Sequence, residues 1–329
     1  MARNCIPFIL RCRLEDVIAT VFSATLLIFF LTTSYFSSFQ LNGHDIIFIL
    51  LPVGILGVKT LLHLLFSADA DAEKLDTGKY LATFFQPLLK IFRDWFPFLL
   101  LSACYYALYT NLMLRVNPHT ADGVLSRIDA ALLGNQASIL LQPWIHPWLT
   151  DFFCLIYFSY VFSLPAVALF LYLTKKEKNF RRVMMGYLTL MLMGIMSYLL
   201  VPATGPEKYF ASQFTSDLQG RAVSQGVSYI INAGRVGYDC FPSLHVGIPL
   251  LLSFYLRDYR KILFFPALGY VGLMCGATIY LRYHYVTDVI ASFFYAPVAY
   301  WLNDFLLARW PGERIIIASV KHPGPEPTC

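Results

Sequence analysis

KILFFPALGYVGLMCGATIYLRYHYVTDVIASFFYAPVAYWLNDFLLA, residues 261–308, holds two long apolar runs, 261–280 and 286–308, joined by the polar stretch LRYHY. An apolar helix needs about 20 residues to cross the roughly 30 Å hydrocarbon layer of a bilayer. Each run therefore predicts one membrane span. Asp288 stands just inside the second run, where a carboxylate is costly and marks a functional position by default.

The rest of the chain repeats that apolar character. Of 329 residues, 57% are apolar and only 14% are charged, too few charges to cover the surface of a soluble globule. The same numbers exclude a disordered chain, a collagen, a coiled coil and a disulfide-rich secreted scaffold. The seven cysteines are scattered without metal-like spacing, and those inside apolar runs read as small packing residues. The expected fold class is an all-α integral membrane protein with about eight transmembrane helices, at 17–36, 45–66, 95–116, 152–174, 183–203, 242–257, 261–280 and 286–308. Helices are expected because the bilayer interior cannot satisfy open backbone groups. The first run is too long for a signal peptide and reads as a retained anchor. Residues 136–150, with Trp144 and Trp148, read as an interfacial stretch. Gly272 and Gly276 form a GxxxG pair that reads as close helix packing.

Lysine and arginine predict the orientation, since cytoplasmic loops carry the excess. The N-terminus, the connections after the second, fourth and sixth spans, and the tail together hold eighteen cations. The opposite side holds five: Arg127, Lys208, Arg221, Arg235 and Arg282. Both termini are thus expected in the cytoplasm. His245, His284, Asp288, Lys208, Arg235 and Arg282 then share the extracytoplasmic or luminal face.

Two segments on that face carry chemistry. In GRVGYDCFPSLH (234–245), Pro242 is expected to open a helix as its first residue. Ser243 and His245 would then stand beside free N–H groups that suit an anion. In RYHYVTDV (282–289), His284 and Asp288 are four apart and would share a helix face. A carboxylate on one imidazole nitrogen leaves the other free as a nucleophile. Arg282 is near enough in sequence to hold a phosphate oxygen.

FPSLH at 241–245 and HYVTD at 284–288 resemble the second and third signature motifs of the type 2 phosphatidic acid phosphatase superfamily. The resemblance implies a six-helix catalytic core over 95–310, preceded by two accessory spans and a loop (1–94) and followed by a cytoplasmic tail (311–329). It implies His284 as the nucleophile that becomes a phosphohistidine, Asp288 as its orienting partner and His245 as general acid and base. Phosphoryl transfer also needs positive charge around the equatorial oxygens. The family's first motif is absent, and Ala277 and Thr278 stand where the third motif has Ser and Arg. Arg282, Ser243, Lys208 and Arg235 are therefore taken as the phosphate-binding set. Pro-Ser-Leu-His, the Gly-Pro-x-x-Tyr segment from Gly205 to Tyr209, and His-Tyr-x-x-Asp are similar to the inositol phosphorylceramide synthase branch, which moves phospho-headgroups between lipids.

The expected activity is transfer of a phospho-headgroup from a lipid phosphate or phospholipid to a lipid or alcohol acceptor. Hydrolysis with water as acceptor is the alternative, and a lipid transporter or flippase is the alternative of another class. A transporter would place its charges near the midplane on repeated halves, and neither is visible. No cofactor, metal or nucleic acid is expected, although two histidines and a carboxylate are also a metal triad. Blander readings stand beside these. Tyr209, Tyr283 and Tyr285 read as interfacial aromatics, Cys240 as a bystander, and His44, His63, His119, His146 and His322 as unpartnered polar residues.

Overall fold

The computed structural model describes residues 13–32, 90–99, 101, 105, 117–221, 224–228 and 237–310. The expected second span, most of the third, Arg235 and the tail beyond 310 lie outside the described residues. The long helices are α1 (Leu14–Thr32), α2 (Asp122–Leu133), α3 (Pro147–Leu173), α4 (Glu177–Leu200), α5 (Leu244–Tyr259), α6 (Phe264–Tyr280) and α7 (Val286–Arg309). Residues 90–99 are also helical. No strand forms among the described residues; a parallel bridge joins Ala203 to Asp239.

Three of the described helical segments are long and apolar enough to cross a membrane: α3, α4, and α6 with the short turn Lys261–Leu263 that leads into it. α7 shows why such a chain avoids water. Asp288, Ser292, Ala296, Ala299 and Asn303 are buried along one side, while Ile290, Phe294, Val298, Trp301 and Phe305 are exposed along the other. An apolar stripe of that length facing water would drive association; facing lipid tails it carries no penalty.

α5 is the axis of the bundle. Its 16 residues rise only about 24 Å, and α3, α4, α6 and α7 all pack against it. Leu244, Val246, Gly247, Ile248, Pro249, Leu250, Leu251, Leu252, Ser253 and Tyr255 are all buried. The approach of α4 depends on glycine. A side chain at Gly194 would begin 2.7 Å from Leu244, the first residue of α5. The GxxxG expectation for α6 holds for half of the pair: Gly276 lies against Phe153, but Gly272 faces open space.

The cation-rich ends of the helices meet at one end of the bundle. Arg182 donates to Asp304, to Asp258 at 2.6 Å and to the Tyr300 hydroxyl at 2.9 Å. Asn303 donates to the Tyr255 hydroxyl and the Arg182 carbonyl. Nearby elements add Arg181 to Glu15 at 2.7 Å, with Arg13 and Lys90 both on Asp94. The start of α4 and the ends of α5 and α7 are therefore tied together. The opposite ends of α5 and α7 carry the two motifs.

Trp144 and Trp148 are both largely exposed, in keeping with the interfacial reading of 136–150. His146 caps α3, its ring nitrogen accepting from the Trp148 N–H at 3.4 Å.

Gly194→Ala is expected to overpack Leu244. Overpacking costs about 1–3 kcal/mol, offset by about 1 kcal/mol of helix preference, for a net loss of about 1 kcal/mol. Gly247→Ala, whose nearest neighbour would be 3.6 Å away, should be neutral or stabilising. Thermal unfolding in detergent checks this; equal midpoints for the two variants would contradict the packing.

Candidate active site

The second motif does not open α5 with its proline. The helix begins at Leu244 with Ser243 as its cap residue, so Pro242 stands outside it. The Pro242 carbonyl instead accepts from the Tyr198 hydroxyl at 3.1 Å. His245 thus lies in the first turn, half-buried between two rings: Tyr157, stacked at 4.4 Å between centroids, and Tyr160, also at 4.4 Å. Both tyrosines come from α3, three residues apart on one face.

The third motif begins where α6 ends. Arg282 takes a left-handed conformation (φ 65°) that turns the chain. The N–H groups of Tyr283 and His284 both return to the Thr278 carbonyl, at 3.0 and 3.2 Å. His284 is therefore in the turn before α7, not on the helix face it was expected to share with Asp288. Asp288 is the third residue of α7, and its Oδ2 accepts from the Tyr285 N–H at 2.8 Å. Carboxylate and imidazole meet because one caps the helix that the other precedes.

Backbone bonds join the two motifs. The Ser243 N–H donates to the Asp288 carbonyl at 3.2 Å. The Ser292 hydroxyl lies within bonding distance of both the Ser243 and Asp288 carbonyls, at 2.7 and 2.9 Å. His284 Nε2 then lies 3.3 Å from His245 Nδ1. On its other side, His284 Nδ1 is 2.9 Å from the Cys240 carbonyl and 3.4 Å from Asp288 Oδ2. A carbonyl can only accept, so Nδ1 carries a proton, and in the neutral ring Nε2 holds the lone pair. His245 Nδ1–H is then the donor to that lone pair.

Cys240 is the residue that sequence reasoning set aside. It is buried, and its sulfur lies 2.8 Å from Asp288 Oδ2 and 3.3 Å from the Tyr283 carbonyl, so its one proton goes to the nearer, charged acceptor. Burial first, and then the Asp288 charge, push this thiol well above its ordinary value, so it is a neutral donor. The grouping with metal-like geometry is Cys240, His284 and Asp288, whose ligand atoms all lie within 4.8 Å. It is not the two-histidine set that the sequence brought to mind.

Two more acids organise the site. Asp122 accepts from the N–H groups of Thr204 and Gly205, both at 2.9 Å, and from the Tyr285 hydroxyl at 3.0 Å. Asp129 accepts from Val286 N–H and Thr287 N–H at 2.8 Å and from the Thr287 hydroxyl at 2.6 Å. They stand seven residues apart in α2, so they share one face. That spacing was the available signal. Tyr285, expected at the interface, is buried against Asp122, and Tyr283 is buried too, while Tyr209 is exposed. Gly205 is needed where it stands: it has φ 86°, and a side chain there would begin 2.6 Å from the Tyr283 carbonyl.

The phosphate-binding set is distributed unevenly. Ser243 is fully buried at the start of α5 and its hydroxyl has no partner among the described residues. Arg282 is buried, its guanidinium lying over Phe214 at 3.9 Å and donating to the Ser216 carbonyl at 2.6 Å, with Nε left unpartnered. Burial lowers its basicity. Lys208 is exposed and lies beside Gly237. Asp288 Oδ1 is unpartnered as well. Buried unsatisfied polar atoms call for an explanation, and three of them fall in the two motifs.

The PAP2 superfamily model matches residues 124–302 of this chain, more than half of it. A PA-phosphatase related-family protein of Dictyostelium discoideum is 32% identical over 103 residues, covering 29% of this chain and 18% of that protein. This chain therefore matches about a fifth of that relative's length. No solved structure matches.

Asp129→Ala leaves three donors without their acceptor. Bonds to a charged group contribute about 1.5–3 kcal/mol, so a loss of about 2–3 kcal/mol in thermal unfolding is expected. Asp129→Asn should lie between it and the parent; an unchanged Ala variant would remove α2 from the account of the site.

A second expectation concerns alkali. Burial and a neighbouring carboxylate raise both the Cys240 thiol and the Tyr285 hydroxyl. The folded chain then keeps protons that the unfolded chain loses above their ordinary values of 9.0 and 10.0. Stability is fully present below that range and falls as pH rises through it. Tyr285→Phe should flatten the fall in a pH series of unfolding midpoints; an identical slope would contradict it.

Proposed function

The chain belongs to the PAP2 superfamily, and on that footing we propose that it is a membrane enzyme that cleaves a lipid phosphoester through a phosphohistidine on His284. The observation that carries the reading is the line from the Cys240 carbonyl through His284 to His245, which leaves the lone pair of one imidazole facing the N–H of the other.

In the reaction, the substrate phosphate enters between the rings and replaces the His245 contact. His284 Nε2 attacks phosphorus, forming an N–P bond as the P–O bond to the leaving group breaks. His245, protonated, gives its proton to the departing oxygen. Asp288, beside Nδ1, balances the positive charge that the phosphorylated ring acquires. The acceptor then loses its proton to His245 and attacks phosphorus, and the N–P bond breaks. Ser243 Oγ and Arg282 Nε, the unpartnered donors of the two motifs, hold the phosphate oxygens beside the first N–H groups of α5. Lys208 adds positive charge at the rim, and Arg235 is assigned the same role from sequence.

The acceptor is proposed to be a lipid or alcohol, as in the inositol phosphorylceramide synthase branch that the motif variants resemble. The phosphatase name of the Dictyostelium relative favours a second reading, in which water is the acceptor. In either case the proposed topology has eight spans, both termini in the cytoplasm and the site at the extracytoplasmic or luminal face, as the lysine and arginine distribution suggests. The end-to-end separation of ion pairs and motifs along α4, α5 and α7 supports that orientation.

Purified protein in detergent, given a panel of lipid phosphates and phosphodiesters, tests this by mass spectrometry of products. His284→Ala is expected to abolish turnover, and His245→Ala to lower it about 10²–10⁴-fold. A new phospholipid without free phosphate supports the transferase; free phosphate alone supports the phosphatase. A His284→Ala variant matching the parent on every substrate contradicts both.

A further inference from the structure

Cys240 touches both halves of the dyad proposed above, and the proposed reaction gives it no chemical task. Its carbonyl takes the His284 Nδ1 proton at 2.9 Å, and its thiol donates to Asp288 Oδ2 at 2.8 Å. The imidazole–carboxylate contact itself is longer, at 3.4 Å. In the resting site the two catalytic groups are thus held chiefly through Cys240. Asp288 is fully buried and its other oxygen has no partner among the described residues, so each donor on Oδ2 weighs heavily. A hydrogen bond to a carboxylate favours its ionised form, and a buried carboxylate without donors takes up a proton instead.

We infer that the Cys240 thiol is a positioning residue for the phosphohistidine chemistry: it fixes the Asp288 carboxylate, ionised, beside His284 Nδ1. Together with the Tyr285 N–H at 2.8 Å it pins Oδ2 from two directions. When His284 becomes cationic on phosphorylation, its Nδ1–H moves from the carbonyl to the waiting carboxylate without a search. The thiol neither attacks nor transfers a proton. This inference rests on the His284 reading of the site.

The test compares Cys240→Ser with Cys240→Ala in the full-length protein in detergent, on the substrate identified by the panel above. Serine keeps a donor and alanine removes it, while both shrink the side chain similarly, so packing defects are common to the pair. Cys240→Ala is expected to lower kcat about tenfold with KM little changed. The single-turnover rate of His284 phosphorylation should fall by a similar factor, because the carboxylate is then no longer held beside Nδ1. Cys240→Ser should recover most of both effects. Equal behaviour of the two variants, or an unchanged phosphorylation rate in Cys240→Ala, overturns the inference.

A parallel His284→Ala sample separates the two claims. If that variant is inactive while Cys240→Ala matches the parent, only the role of Cys240 fails; if His284→Ala is active, both fail. A second measurement needs no change at Cys240. The S–H stretching band in the infrared difference spectrum between parent and Asp288→Asn should show one thiol with a weakened hydrogen bond in the variant. A flat difference spectrum in that region overturns the inference too.

Discussion

A buried carboxylate at the start of a helix must be satisfied from whatever surrounds it, and in this molecule that demand gathers the site. Asp288 has no exposure. Its Oδ2 draws in the Tyr285 N–H, the Cys240 thiol and the His284 ring, while its backbone carbonyl takes the Ser243 N–H. These partners come from the turn before α7, from the loop before α5 and from the cap of α5. Without the carboxylate, the His284 ring and the Cys240 loop would keep their direct contact through the Cys240 carbonyl but lose the group that ties both to the start of α7.

The supports around it follow the same logic at longer range. α2 carries two carboxylates on one face, and each accepts backbone N–H groups that would otherwise be unpaired. Asp129 receives the first N–H groups of α7, and Asp122 receives those of the Gly-Pro segment together with the Tyr285 hydroxyl. The short axis α5 then sets the depth of the site, because its first turn lies inside the bundle with four helices around it. At its far end the Arg182 network ties α4, α5 and α7 together, so the motif-bearing ends are braced against a fixed base.

Much of this was legible in the sequence. Apolar runs of span length gave α6 and α7 within about three residues and the ends of α3 and α4 within about six, because lipid exposure imposes composition directly. His245, His284, Ser243 and Asp288 were found because two short motifs concentrate polar residues in an apolar chain. What escaped was tertiary. Pro242 was expected inside the helix because proline suits a first turn, but the helix begins at Leu244 and the Pro242 carbonyl accepts from Tyr198. The spacing of His284 and Asp288 suggested a shared helix face, and it is a helix cap instead. Cys240 looked inert because a thiol has no sequence signature as a donor. Tyr157 and Tyr160 were hidden among the many aromatics of an apolar helix. Asp122 and Asp129 sat between the third and fourth expected spans, where no helix was expected.

The central claim is that His284 Nε2 carries the phosphoryl group. The most direct measurement uses an aryl phosphate, whose leaving group departs without a proton, on His245→Ala protein, which lacks the base for the second step. Peptide mass spectrometry under alkaline conditions, where a phosphohistidine survives, is predicted to find the phosphoryl group accumulating on His284. A phosphoryl group on another residue, or none at all while the aryl alcohol is still released, would contradict the account.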